Sequence, residues 1–233
     1  GSQNVAVGAF ALDANTTASN NTAFGYAALT ANTTGTQNVA VGANALDAAD
    51  TNNNTAVGFE AMTNSTASEC VAVGSRALKA HTSGARNSAL GSEAATAVTT
   101  ADDITAIGRS SLAACTTGSS NTALGSKSLM ANTTGGSNVA VGANALNANT
   151  TANNNTAVGY QSLLSNTTGN NNLAMGREAM SVNTTGDNNT AIGSQALDAN
   201  TTADNNTAVG RSALGANTTG TSNTAVGKGC LDA

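Results

Sequence analysis

The feature that most constrains this chain is its self-similarity. The pattern Asn-(Thr/Val)-Ala-(Val/Ile/Leu)-Gly recurs in 14 copies, with its glycine at Gly8, Gly25, Gly42, Gly58, Gly74, Gly91, Gly108, Gly125, Gly142, Gly159, Gly176, Gly193, Gly210 and Gly227. The spacing is 17 residues except from Gly42 to Gly58 and from Gly58 to Gly74, where it is 16. A unit this short cannot bury a core alone and must stack on its neighbours. The period spans residues 1–233, so the sequence reads as one continuous array without a domain boundary. Gly1-Ser2 reads as a cloning remnant, and the array as a piece of a longer fibrous protein.

A full unit approximates N-T-A-V-G-x-x-A-L-x-A-N-T-T-G-x-x. Two short apolar clusters separated by polar turns are what a coil of a parallel β-solenoid requires. Two helices need more than 17 residues, and Val, Thr, Asn and Gly at this density are poor helix formers. The chain has no proline, as expected where strand amides donate to neighbouring coils. The expected fold is therefore all-β, a parallel β-solenoid of 14 coils, which at about 4.8 Å per coil would be roughly 65 to 70 Å long.

Each repeat position carries its own expectation. The residue two before the glycine is Ala in every copy, so only tiny side chains are tolerated on that face, where another backbone approaches closely, either across a narrow coil or from another chain. The residue just before the glycine (Val7, Phe24, Val41, Val57, Val73, Leu90, Ile107 and successors) is expected to form an aliphatic core ladder. A second ladder stands four residues after each glycine, from Leu12 and Leu29 to Leu214 and Leu231, with Ala95 as its gap. Asn stands four before the glycine in 12 of the 14 copies, Cys70 and Ile104 being the exceptions, which predicts a stacked amide column. The Asn-Thr-Thr-Gly segment, as at 32–35, 132–135, 166–169 and 183–186, is turn chemistry and is expected outside. Two aliphatic positions per coil offer little apolar area against the ordering cost, so a core shared among chains, a homotrimer, is expected.

Composition narrows the functional classes. Aromatic residues make up 2% and charged residues 9%, so a core must be built from Ala, Val, Leu and Ile. Eight Lys and Arg against thirteen Asp and Glu give no basic patch for nucleic acid or an anionic membrane surface. No apolar run approaches the length of a membrane span, and no membrane insertion is expected. Cys70, Cys115 and Cys230 have no metal-like spacing and read as small apolar substitutes.

The segments Asn-Val-Ala-Val-Gly at 4–8 and 38–42 and Asn-Thr-Ala-Ile-Gly at 189–193, each followed after two residues by an Ala-Leu pair, resemble two related groups. One is the head repeat of trimeric autotransporter adhesins of the YadA type. The other is the repeat arrays of phage tail fibres, similar in the wording Asn-Thr-Thr-Gly-Asn-Asn-Asn-Thr-Ala-Val-Gly found nearly whole at 166–176. The resemblance covers all 14 copies and implies a left-handed trimeric β-roll that serves attachment at a virion or cell surface. A host-surface receptor or glycan would then be met through flanking domains. The adhesin repeat is shorter, so the Asn-Thr-Thr-Gly loop is an insertion relative to it.

Candidate chemistry is sparse. His81 is the only histidine and is expected as an exposed turn residue, so no catalytic triad can be assembled. Asp13, Asp47, Asp198 and Asp232 share one repeat position, but Thr30, Lys79, Ala113 and Met130 occupy it elsewhere, which disfavours a calcium ladder. No phosphate-binding glycine motif is present. Asn15, Asn32 and Asn53 match the glycosylation acceptor pattern as a by-product of turn repetition. The rival to a fibre is a monomeric Thr-rich ice-binding solenoid, which needs Thr-x-Thr ranks on one strand, whereas Thr-Thr offers one outward Thr per coil and the register breaks at Ala49, Ala97 to Val98 and Cys115. The variable pair after each glycine, such as Tyr26-Ala27, Phe59-Glu60, Ser75-Arg76 and Arg177-Glu178, is expected as a solvated stripe. No catalytic, cofactor or metal residues are expected; the expected role is a non-enzymatic, extracellular fibre or adhesin segment.

Overall fold

A computed structural model describes every residue except Ala49 and Ala233. The chain forms two compact units, Gly1–Thr117 and Gly118–Ala233. The first contains seven three-residue strands from β1 (Val5–Val7) to β7 (Thr105–Ile107), and the second seven more from β8 (Thr122–Leu124) to β14 (Thr224–Val226). Within each unit every strand pairs in parallel with the next, in one register: Ala faces Ala on successive coils, as in Ala6 with Ala23 and Ala140 with Ala157. Each unit is thus a parallel β-solenoid whose coil is one sequence repeat, and the described residues contain no helix.

Backbone hydrogen bonds run between coils in both directions. Thr156 N–H donates to Asn172 O of the following coil at 2.8 Å, while Gly159 N–H donates back to Val141 O at 2.7 Å. Beyond the strand, Leu146 N–H donates forward to Ser162 O at 3.0 Å, and Ala148 N–H to Leu164 O at 3.0 Å. A 17-residue coil must turn several times, and three non-glycine residues per coil take left-handed backbone: Gln161 (φ 55), Leu163 (φ 50) and Asn171 (φ 56) in one example. Leu pays for this with about 1 kcal/mol, but the inversion lets two consecutive side chains point inward. Ala45 and Leu46 are both fully buried, which an extended strand would forbid.

The core differs from expectation at two columns. The strand Ala residues from Ala23 to Ala225 and the leucine ladder from Leu12 to Leu214 are buried, as the sequence indicates. The aliphatic column just before each glycine is not core: Val7, Phe24, Leu90, Leu124 and Met175 are exposed, and Val41, Val57, Val73 and Ile107 are only half-buried. Strand alternation allows one face inward, and the narrow coil accepts Ala there rather than Val. The turn Asn, expected outside, is inside. Asn32, Asn132, Asn149, Asn166, Asn183 and Asn200 are fully buried, with the Thr two residues on exposed at Thr134, for example.

Two interior asparagine columns therefore replace apolar volume. In the second unit, turn-Asn amides chain from coil to coil: Asn149 Nδ2 donates to Asn132 Oδ1 at 2.8 Å, Asn166 to Asn149 at 3.1 Å, Asn183 to Asn166 at 2.8 Å and Asn200 to Asn183 at 3.0 Å. In the column four before the glycine, each Asn accepts the next one's backbone N–H, as Asn155 N–H to Asn138 Oδ1 and Asn172 N–H to Asn155 Oδ1, both 2.9 Å. Each also donates Nδ2 to a turn carbonyl, as Asn155 to Gly169 O at 2.8 Å. Buried amides are stabilising only when satisfied in this way.

The first unit interrupts the turn column with Ser65, His81, Val98 and Cys115. The buried Asn32 Oδ1 has no hydrogen-bond partner; seventeen residues on, the sequence holds Ala49, which lies outside the described residues. At this short coil the Asp50 carboxylate takes over as acceptor, receiving Thr33 N–H at 3.1 Å, Thr34 N–H at 2.6 Å, Gly35 N–H at 2.9 Å and both Thr hydroxyls. These bonds, led by the Thr33 hydroxyl, hold its carboxyl well below the usual carboxylate range.

The repeat glycine is required for space as well as conformation. At Gly142 (φ 130) a Cβ would sit 2.5 Å from the carbonyl oxygen of Gly159 on the next coil. Gly136 has no positive φ, and its column holds Ser119 and Asn153 in neighbouring coils. Gly142→Ala is expected to lower the free energy of unfolding by about 2 to 4 kcal/mol, and Gly136→Ser to change it little, as measured by urea denaturation.

Candidate functional site: the outward face of the strands

Alternation that turns the strand Ala inward turns its two neighbours outward. Two adjacent outer columns result: the residue three before each glycine, and the one just before it. Of these 28 residues, 19 are apolar and 9 are Thr or Ser, so neither column carries a charge or a carboxamide. Val5, Val39, Val71, Phe24, Leu90, Leu124, Met175 and Ile192 stand exposed there, Phe24 by 55%. Parallel pairing stacks them side by side within each unit, as Val39 beside Thr22 and Val41 beside Phe24. Contiguous apolar surface of this extent is rare on a face that stays in water.

Charge is kept off this face and is divided between the variable stripe that follows the glycine and the positions and turns beyond it. Glu60 pairs with Arg76 at 3.2 Å and with Lys79 at 2.7 Å, and its carboxyl is held down chiefly by the Lys79 bond. Elsewhere Arg86 grips Asp103 through two bonds of 2.7 and 3.0 Å, which lowers the Asp103 carboxyl and raises the Arg86 guanidinium. Exposed pairs of this kind add little stability. Phe10 and Tyr26 of adjacent coils meet edge to face with ring centroids 5.7 Å apart, beside the exposed Phe24.

His81, expected at the surface, is fully buried in the turn-Asn column. Its Nδ1 lies 3.0 Å from Ser65 Oγ and its Nε2 3.0 Å from Asn87 Nδ2. Asn87 Nδ2 also donates to Gly84 O at 3.2 Å and to Ala101 O at 2.7 Å, and burial favours the neutral form of the ring. Both nitrogens are engaged inside the coil, so the ring has no free position for proton transfer. Cys70 is buried in the other Asn column, where burial pushes its thiol up, and Cys115 lies in the turn column. The aspartates at one repeat position do not gather: among the described residues no three His, Cys, Asp or Glu side chains converge in a metal-binding group. Asp198 is raised, first by burial and then by Asp232, which flanks Gly215 from the other side. A concavity of about 310 Å³ lined by Leu214, Asn217, Thr218, Gly220, Asn223 and Leu231 contains no ionisable side chain.

No family model, curated protein or solved structure matches this chain. The outer columns were visible in the sequence as an invariant small residue flanked by larger ones, but which flank was inside was not. The buried turn Asn had a signal too in the second unit: its unbroken recurrence at 17-residue intervals from Asn132 to Asn217 is stricter than a solvent-exposed turn needs.

Burial is the main cause that lowers the basicity of His81, with a backbone bond to Gly84 and the charge of Asp102 opposing it. The folded state then binds the proton less well than the unfolded chain, so its stability is complete above about pH 6.5 and is lost as pH falls through that value. Thermal melts of the protein are expected to show a falling midpoint between pH 7.5 and 5.5. The His81→Asn variant, which restores the column's usual residue, is expected to flatten that slope.

Proposed function

We propose that this chain is a non-enzymatic structural segment of an extracellular fibre or surface adhesin. In this reading it assembles as a homotrimer and holds an attachment element away from a virion or cell. The observation that carries the proposal is the uncharged outer face, which repeats on every strand while the charged residues are held to neighbouring stripes. The sequence resemblance to trimeric adhesin heads and tail-fibre arrays favours the same assignment.

The reason for association differs from a shared core. Leu, Ala and two hydrogen-bonded Asn columns fill each coil within one chain, so what a partner would cover is the outside. Catalysis has no support in the arrangement: the lone histidine is enclosed, and ionisable groups lie in exposed stripes rather than around a cavity.

Ice binding is disfavoured by the side chains on each strand. The outward pair is Thr- or Ser-x-apolar, Val-x-Val or Leu-x-Met and in no copy Thr-x-Thr, and Phe24, Leu90 and Met175 break the flatness that a lattice match needs. In the turn, Thr133 Oγ1 donates to Thr150 O at 3.0 Å and is half-buried, leaving one exposed Thr rank.

Light scattering with in-line size exclusion decides between the readings. Three chains of 22.5 kDa give about 67 kDa, the mass expected here. A mass of one chain, particularly with thermal hysteresis in cooled solution, would overturn the trimeric fibre.

A further inference from the structure

We infer that Asn154, Asn188 and Asn205 of the second unit are acceptors for an N-linked sugar, and that the fold closes the equivalent sequences of the buried turn column to the same chemistry. The sites are read from the single chain and do not depend on how chains assemble.

Asn-x-Thr is the acceptor sequence for transfer of a sugar to the carboxamide nitrogen, and it serves only on an accessible surface. The repeat contains two kinds of it, which the sequence alone treats as equals. In the second unit the structure separates them. In the turn kind, as Asn166-Thr167-Thr168, the Asn is fully buried, and its Nδ2 donates to Asn149 Oδ1 at 3.1 Å and to Gly169 O at 2.9 Å. A sugar there would have no room and would break both bonds. The other kind, at 154–156, 188–190 and 205–207, lies where the chain enters the strand. Its Asn is exposed in all three, and no hydrogen bond among the described residues engages the carboxamide. The backbone is left-handed there, with φ 59, 56 and 59, and the next residue, as Asn155, is fully buried, so the acceptor side chain stands outward. Thr156, Thr190 and Thr207, two residues on, are half-buried on the outward side of their strands.

The pairing of Asn with Thr is a second support. Asn stands five before the glycine in six coils, and in five of them the residue two on is Thr; Asn171, followed by Leu173, is the exception. Where the strand opens on Val, at Val5, Val39, Val71 and Val139, the earlier place holds Gln, Glu or Ser and never Asn. Val and Thr both fit the strand, so packing does not require this association, whereas an acceptor sequence would.

The co-substrate is a hexose whose anomeric carbon carries a phosphate leaving group, as a sugar nucleotide or a lipid-linked pyrophosphate. The carboxamide nitrogen bonds to the anomeric carbon, the bond from that carbon to the phosphate oxygen breaks with its electron pair on oxygen, and the amide proton passes to a base of the transferase.

The test offers the folded protein to a soluble N-glycosyltransferase with UDP-glucose and, separately, to a membrane oligosaccharyltransferase with its lipid-linked donor, and reads the modified positions by peptide mass spectrometry. One donor or both are expected to modify Asn154, Asn188 and Asn205 and to leave the turn asparagines from Asn132 to Asn200 bare; the arm that does so identifies the donor. Thr156→Val is expected to abolish modification at Asn154, and Leu173→Thr to create it at Asn171. Both place at the strand a residue that other coils already hold there. Absence of sugar from all three sites with either donor, equal modification of the turn asparagines in protein that keeps its β circular dichroism, or a bare Asn171 in the Leu173→Thr variant would overturn the inference.

Discussion

The close approach of the coil's own walls governs everything else in this structure. A strand that can turn only Ala inward, and a glycine whose Cβ would strike the next coil's carbonyl, leave no room inside for the aliphatic residues that flank them. What the interior lacks in apolar volume it gains in hydrogen bonds. A turn Asn of the second unit such as Asn166 donates to its own turn's Gly169 carbonyl and to Asn149 of the coil before, and accepts from Asn183 of the coil after, and a low-polarity interior makes such bonds worth more and their loss costlier. Coil length is therefore constrained by amide register as strongly as by packing. The first place where it shortens, between Gly42 and Gly58, shows the consequence: a carboxylate, Asp50, stands in as acceptor, and Asn32 of the coil before is left with an unsatisfied oxygen.

The same narrowness explains the outer surface. Val, Ile and Leu excluded from the interior do not vanish from the sequence; they line the far side of each strand with nearly unbroken apolar character. A β-solenoid that needed only solubility would carry polar residues there, as this chain does in the stripe beyond the glycine. The contrast between these neighbouring stripes is what supports the proposal that the outer columns serve contact while the charged stripe faces water.

Much of the architecture was legible from the spacing of one pentapeptide: strand, coil, parallel stacking, the leucine ladder and the first Asn column. The assignments that failed share a cause. Size was used to decide what is buried, so Val7 and Phe24 were placed in the core. In a coil this tight the smaller residue wins the interior. The turn Asn and His81 were placed outside because polar turn residues usually are. Their burial depends on a partner one coil away, which no local rule reports. The left-handed leucines were invisible for the same reason, since nothing in Ala-Leu marks the inversion that points both side chains inward.

Amide hydrogen exchange resolved along the chain tests most directly whether the interior amide columns hold the coils together. The unbroken turn column from Asn132 to Asn200 predicts the slowest exchange in the coils between those residues, and the interrupted stretch from Asn32 to Ser65 the fastest among coils away from the chain ends. Equal protection in the two stretches, or greater protection where the column is broken, would contradict the account and return the stability to apolar packing alone.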